Sequence, residues 1–246
     1  MAVDTVQPAD RPINWAALIE TALLGSLAAM LLTKVLRGVM IFYIHPRYTP
    51  LVAAAALVVA LLAYVRMRAI FESAAEPLGK RAVAYAALAL AVALGTLVPA
   101  RPLGAGTLSS SGLDAGRSAN ADLIADGRTA EWDLLQWSIA FSIYGAGEPL
   151  LGSPVDVVGF VFYDAQLAGD GFIVARYVIS CCTADGSGAG MPVAWQGGVA
   201  LPTDSWVRVR GTLGARERNG IAEPILLAES IEPVAQPRNP YLYATR

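Results

Sequence analysis

Histidine is almost missing from this chain, with His45 the only one among 246 residues. A histidine-rich metal centre is therefore excluded, and the C-terminal half, which has none, cannot build a Ser/His/Asp triad. Cysteine is nearly as scarce, and the two present cannot build a disulfide framework. Charged residues make up 15% of the chain, against roughly 25% in an ordinary soluble domain. The formal charge of −2 carries no basic excess, which argues against a nucleic-acid partner. The glycine-rich stretch GAGTLSSSG, 104–112, lacks the Gly-Lys-Ser/Thr ending of a phosphate-binding loop. No pair of carboxylates is singled out for catalysis, so the reading is of a protein that is not an enzyme.

What is abundant is apolar sequence, 55% of the chain. Three runs stand out. The first covers about 15–32 and is interrupted only by Glu20; the second about 49–67, closed by Arg66 and Arg68; the third 82–100, after Lys80 and Arg81. A membrane helix needs about 20 apolar residues, and the second and third runs lack the polar stripe of a soluble amphipathic helix. Residues 1–100 therefore read as a transmembrane region of three spans. Glu20 lies near the start of its span, and the preferred reading sends its carboxylate to the interface, with a helix–helix contact as the alternative. KVLRGVMIFYIHPRYTP, 34–50, mixes basic and aromatic residues as interfacial segments do. The positive-inside rule barely separates the two orientations. The adopted reading is a multi-pass protein of the cell membrane, N-terminus inside and C-terminal domain extracytoplasmic.

Residues 101–128 are rich in Gly, Ser, Ala and Asp and read as a flexible linker. In 129–145, Trp132, Leu135 and Ile139 recur at helical spacing, with Thr129 as the expected N-cap. Beyond Val155 the period becomes two. Strands are expected at 155–164, 172–181, 191–197, 206–214 and 224–234. Short antiparallel strands with internal glycines suggest a small all-β domain over 129–246, an OB-like barrel with one preceding helix. Arg208 and Arg210 share a strand face and read as a solvated face or an anion contact.

Both cysteines sit side by side in RYVISCCTADG, 176–186. Strand alternation groups Ile173, Ala175, Tyr177, Ile179 and Cys181 on the core side, and Val174, Arg176, Val178, Ser180 and Cys182 on the surface. Opposed sulfurs share no site unless the strand breaks at or before Ser180. Adjacent Cα atoms are about 3.8 Å apart, below the roughly 4.4–6.8 Å of ordinary disulfides. Zinc wants four ligands, whereas Cys181, Cys182 and Asp185 give three and the β domain has no histidine. Three roles stay open: packing or partner-contact cysteines, a site for a thiophilic ion such as Cu(I), and a redox pair. No cofactor is demanded. The candidate contact residues are Cys181, Cys182, Asp185 and Arg176.

Membrane spans, YIHPRY at 43–48, FIVARYVISCCTAD with WVRVRGTL, and a terminal NPYLY together resemble the YcgQ-like family of two-component permease subunits, membrane proteins with a CC-x-AD motif. Family members read close to RFVISCCVADA in the cysteine segment. Here Gly186 replaces the usual alanine, and the following SGAGMPVAW is richer in glycine. The resemblance implies an accessory subunit paired with a larger polytopic permease-like membrane protein, in contact with membrane lipid. The solute is left open, with metal ions one class. The alternative is a stand-alone, membrane-tethered metal-binding or thiol-redox module using Cys181 and Cys182.

Overall fold

The computed structural model describes residues 14–72, 81–115, 121–124, 127–145, 148–164, 171–195, 201–218 and 220–244. The chain divides into two compact units, one of residues 1–41 and 46–100, the other of 42–45 and 101–246.

In the first unit, helix α1 spans Trp15–Leu36, α2 Thr49–Glu72 and α3 Ala82–Leu97. The buried Asn14 caps α1 by accepting from Ala17 N–H at 3.1 Å. Two helices are long and apolar enough to cross a membrane, Trp15–Leu36 and Pro46–Phe71. The third, expected as a span over 82–100, is helical for 16 residues, about 24 Å at 1.5 Å per residue and short of the roughly 30 Å hydrocarbon layer. Leu57, Leu61, Leu62 and Val65 of α2 are all at least half exposed. Such a surface is unfavourable in water and suits lipid. Glu20 does not reach outward as preferred above. Its carboxylate is largely covered and binds Arg66 at 3.1 Å, Arg81 at 2.8 Å and Tyr85 Oη at 2.8 Å, so it ties α1 to α2 and α3. Two cations and a hydroxyl offset the cost of withdrawing the charge from water.

The second unit holds β1 Pro154–Phe162, β2 Gly171–Ile179, β3 Ser187–Ala194, β4 Trp206–Arg218, β5 Ile221–Pro233 and the short β6 Tyr241–Tyr243. Hydrogen bonding runs β1-β4-β5-β3-β2, and β1 pairs β2 as well, which closes a five-stranded barrel of the OB kind. β3 and β5 are parallel; β6 lies parallel on β2. All five strands line the interior through Val157, Val174, Met191, Val209 and Leu226, among others. Helix α5, Leu134–Tyr144, packs Trp137 into that core. Its N-cap is Asp133 rather than Thr129. Asp133 and Gln136 form a reciprocal capping box, and Thr129–Glu131 is a separate 3-10 turn. Arg208 and Arg210 are partly solvated, and each is already paired with a carboxylate. Arg208 clamps Asp156 with two bonds of 2.6 Å, and Arg210 bridges Asp156 and Glu232.

The two faces of β2 are the reverse of those expected. Phe172, Val174 and Val178 line the barrel, whereas Ile173, Ala175, Tyr177 and Ile179 form an outer cluster with Ala105, Leu108, Phe160 and Tyr241. A strand covered on both sides shows no clean alternation of polarity, so Arg176 misdirected the assignment. Its guanidinium turns to the chain terminus instead, donating to the carbonyls of Asn239 and Pro240 at 2.8 and 3.2 Å. Part of the cover comes from residues expected in a flexible linker. α4, Ala105–Ser111, buries Leu108 against β3, and Leu103 N–H donates to Tyr241 Oη.

The glycines of SGAGMPVA permit this layer. A Cβ at Gly188 would lie 2.6 Å from Gly112 O and would collide with Leu108. We expect Gly188→Leu to destabilise the barrel unit by about 1–3 kcal/mol, read as a lower denaturant midpoint. Gly106→Ala, which meets nothing within 4 Å, should leave that midpoint nearly unchanged.

Candidate functional site

Strand β2 stops at Ile179, and β3 returns from Ser187 opposite Val178. The intervening SCCTADG is a seven-residue hairpin loop around a 3-10 turn at Thr183–Asp185. The Asp185 carboxylate organises it. One oxygen accepts from Ser180 N–H at 3.0 Å, and the other from Cys181 N–H at 2.7 Å and Cys182 N–H at 3.4 Å. These are donors that an unbroken strand would present to a neighbouring chain. Local side-chain acceptance of this kind competes with the sheet ladder and ends it.

The break brings the two sulfurs together. Cys181 was expected in the core and Cys182 at the surface. Instead Cys181 is exposed, Cys182 half-buried, and both are free thiols with Sγ atoms 3.6 Å apart. The alternation rule fails because it applies to pleated backbone only, and the pleat ends two residues earlier. Cys181, Cys182 and Asp185 each offer a ligand atom, and all three atoms lie within 4.8 Å of one another. Among the described residues this is the one cluster of three or more such groups. Arg176, the fourth residue singled out by sequence, is half-buried and engaged with the Asn239–Tyr241 carbonyls. Its guanidinium holds the terminal strand in place and is not joined to the cluster.

The loop has a partner that sequence reasoning placed elsewhere. Phe42–His45 belongs to the β unit, so this unit does contain a histidine. Ile44 bridges Cys182 in antiparallel fashion, Thr183 N–H donates to Tyr43 O at 2.9 Å, and His45 N–H donates to Cys181 O at 2.9 Å. The His45 ring packs against Tyr243, centroids 4.2 Å apart, and Tyr241 Oη donates to Phe42 O. Tyr43–His45, the cysteine segment and NPYLY, dispersed in sequence, thus meet around one loop. Their joint appearance in the family resemblance was the available signal.

The electrostatics favour protonated sulfur. The hydrogen bond to Asp185 and that to Cys182 push the Cys181 thiol up to about 11. Burial works against the Asp185 anion, yet the Cys181 thiol and the three backbone N–H donors outweigh it and hold this carboxyl below its ordinary value. For a thiol raised on folding, the linked stability is complete below the ordinary thiol range and disappears as pH rises through about 11. The Asp185 contribution is complete above the ordinary carboxylate range and is lost as pH falls through its lowered value. With Cys182→Ser as background, we expect thiolate ultraviolet absorbance to place Cys181 well above a free cysteine. Asp185→Asn should return it toward the ordinary value. A Cys181 that titrates like free cysteine before the change would contradict the geometry described.

Comparison with known families matches residues 138–244 to the DUF1980 C-terminal domain. No curated protein matches the chain. The matched residues run from within α5 to the end of β6 and contain every strand of the barrel together with Cys181, Cys182 and Asp185, so this part of the chain is similar to a DUF1980 C-terminal domain.

Proposed function

We propose that this chain is a membrane-anchored accessory subunit of a permease-like polytopic protein, and that its barrel domain holds a thiophilic metal ion at Cys181 and Cys182. The observation that carries the reading is the interrupted strand, which sets two free thiols 3.6 Å apart beside a carboxylate. Two sulfurs and one oxygen fall short of a closed tetrahedral zinc site. They suit a soft monovalent ion such as Cu(I), which accepts few ligands and prefers thiolate. Because Cys181 is exposed, an ion there could be taken up and released rather than sealed in. Non-enzymatic action belongs to the same reading. The similarity to a DUF1980 C-terminal domain and the two apolar helices support membrane attachment and an accessory role. The likeness to YcgQ-like subunits supports a polytopic partner, and the extracytoplasmic placement of the barrel is retained from the cation count.

Loading such a site expels protons, since thiolate rather than thiol is the ligand. Copper(I) titration of the full chain against a chromophoric chelator should give one ion per chain, lost in Cys181→Ser/Cys182→Ser. Apparent affinity should rise with pH, by up to about a hundredfold per unit if both thiols deprotonate. Uptake that the double variant leaves intact would remove the site. Affinity purification from native membranes should also bring down a multi-spanning protein, and a chain that remains alone would remove the subunit role while leaving the copper result to stand or fall separately.

A further inference from the structure

The helical unit contains a cleft of its own. Its volume is about 660 Å³, inside the range of small-molecule sites, roughly 300–1,000 Å³. It lies between the C-terminal half of α1 and the last turns and exit of α3. Ser26, Ala29 and Met30 line it on one side, Val92, Gly95 and Val98 on the other. Small residues keep it open, and a Cβ at Gly95 would strike the Met30 sulfur. The two threonine hydroxyls in its wall are turned back on their own helices. Thr33 Oγ1 donates to Ala29 O at 2.7 Å and Thr96 Oγ1 to Val92 O at 2.9 Å. The interior is thereby left largely apolar.

One end differs. Lys34 and Arg37, in the last turn and C-cap of α1, contribute to the lining, and among the described residues no acidic one does. From Ser26 to Arg37 the helix climbs roughly 16 Å, so the apolar part extends from the cationic end toward the middle of the span. A pocket with two cations at the headgroup level and hydrocarbon walls below is complementary to an anionic amphiphile. We propose that this cleft is a binding site for an anionic glycerophospholipid, its phosphate held by Lys34 and Arg37 and one acyl chain lying between α1 and α3. The charge of the lining favours this occupant over a zwitterionic lipid. The apolar depth favours it over a free phosphate ion, which would gain nothing from Met30, Val92 and Val98.

Native mass spectrometry of the full chain in detergent, titrated with phosphatidylglycerol or with phosphatidylcholine of identical chains, reads the selectivity directly. The anionic lipid should be retained with a preference of about tenfold or more, as expected for two interfacial cations. Lys34→Gln/Arg37→Gln should abolish the preference, and Lys34→Arg/Arg37→Lys should keep it. Ala29→Phe, which fills the cleft without altering charge, should weaken both lipids. Arg68→Gln, removing a cation from α2, should change nothing, and millimolar inorganic phosphate should not compete. Equal retention of the two lipids would overturn the proposal, as would an equal loss of preference in Arg68→Gln or displacement by phosphate alone. If the double Gln variant does not fold, Ala29→Phe and the charge-conserving pair still decide the question.

Discussion

The barrel unit depends most on what the Asp185 carboxylate does at the end of β2. Three consecutive backbone N–H groups, Ser180 to Cys182, converge on its two oxygens. Each hydrogen bond to an ionised acceptor is stronger than its neutral counterpart. Together they supply the partners that the strand loses by stopping. Without that acceptor the chain from Gly171 would have reason to remain extended, and the two sulfurs would point to opposite faces. With it, the same cysteines share a loop and lie in contact. This carboxylate therefore contributes directly to the contact between the adjacent thiols.

A loop held only by one side chain would be weakly ordered, and the surrounding structure prevents that. Residues 43–45 hydrogen-bond the outer edge of the cysteine segment, while β6 occupies the edge of β2 just before it. Tyr241 links these pieces, donating to Phe42 O and accepting from Leu103 N–H. Arg176 contributes from the strand itself, with three carbonyls of the Asn239–Tyr241 segment around its guanidinium. Burial draws that guanidinium below its ordinary value, opposed by the nearby Asp133 and Tyr243. Its role is thus to fix the terminal segment, which in turn backs the cysteine loop. The edge of β2 that would otherwise be an exposed pairing surface is covered along its length.

Much of this fold was legible because its signals are local. Alternating valines in VDVVGFVF and WVRVRG announce strands, and the uninterrupted apolar runs announce helices that lipid can accept. The barrel was suggested by the number of short strands and by the glycines inside two of them. What was not legible depends on distant groups. The in-and-out sense of β2 could not be read, since α4 and Tyr241 cover the face that a simple barrel would leave wet. Within the stretch read as a linker, residues 103–111 are packed for a related reason, while 116–120 and 125–126 lie outside the described residues. A Gly- and Ser-rich composition describes a chain with little intrinsic order, but Leu103, Ala105 and Leu108 suffice to bury it against Tyr177 and Gly188. Glu20 escaped because its partners Arg66 and Arg81 are remote in sequence. The Asp185 contact is short-range, yet a CC-x-AD string does not reveal whether its aspartate turns back to the backbone or outward.

The chemistry of the loop separates the two uses of adjacent thiols. Thiol–disulfide exchange is fastest when the attacking sulfur has a pKa near the ambient pH, because thiolate population and intrinsic nucleophilicity oppose each other. Raised to about 11, Cys181 holds almost no thiolate at neutral pH and is a slow nucleophile. A vicinal disulfide would in addition have to pull Sγ atoms from 3.6 Å to about 2.05 Å across neighbouring residues, outside the usual Cα spacing. The proposed metal loading avoids the second obstacle and meets the first as competition with the proton on each sulfur. In the proposed site the ion displaces the proton, and sulfurs 3.6 Å apart can both reach one ion lying off the line that joins them, with Sγ–metal bonds of about 2.3 Å as in thiolate–zinc sites. The carboxylate that suppresses spontaneous ionisation of Cys181 thereby slows this thiol in exchange, and an ion in the proposed site has to displace the same proton. Asp185 thus acts in two ways, shaping the loop that pairs the sulfurs and holding the proton on Cys181.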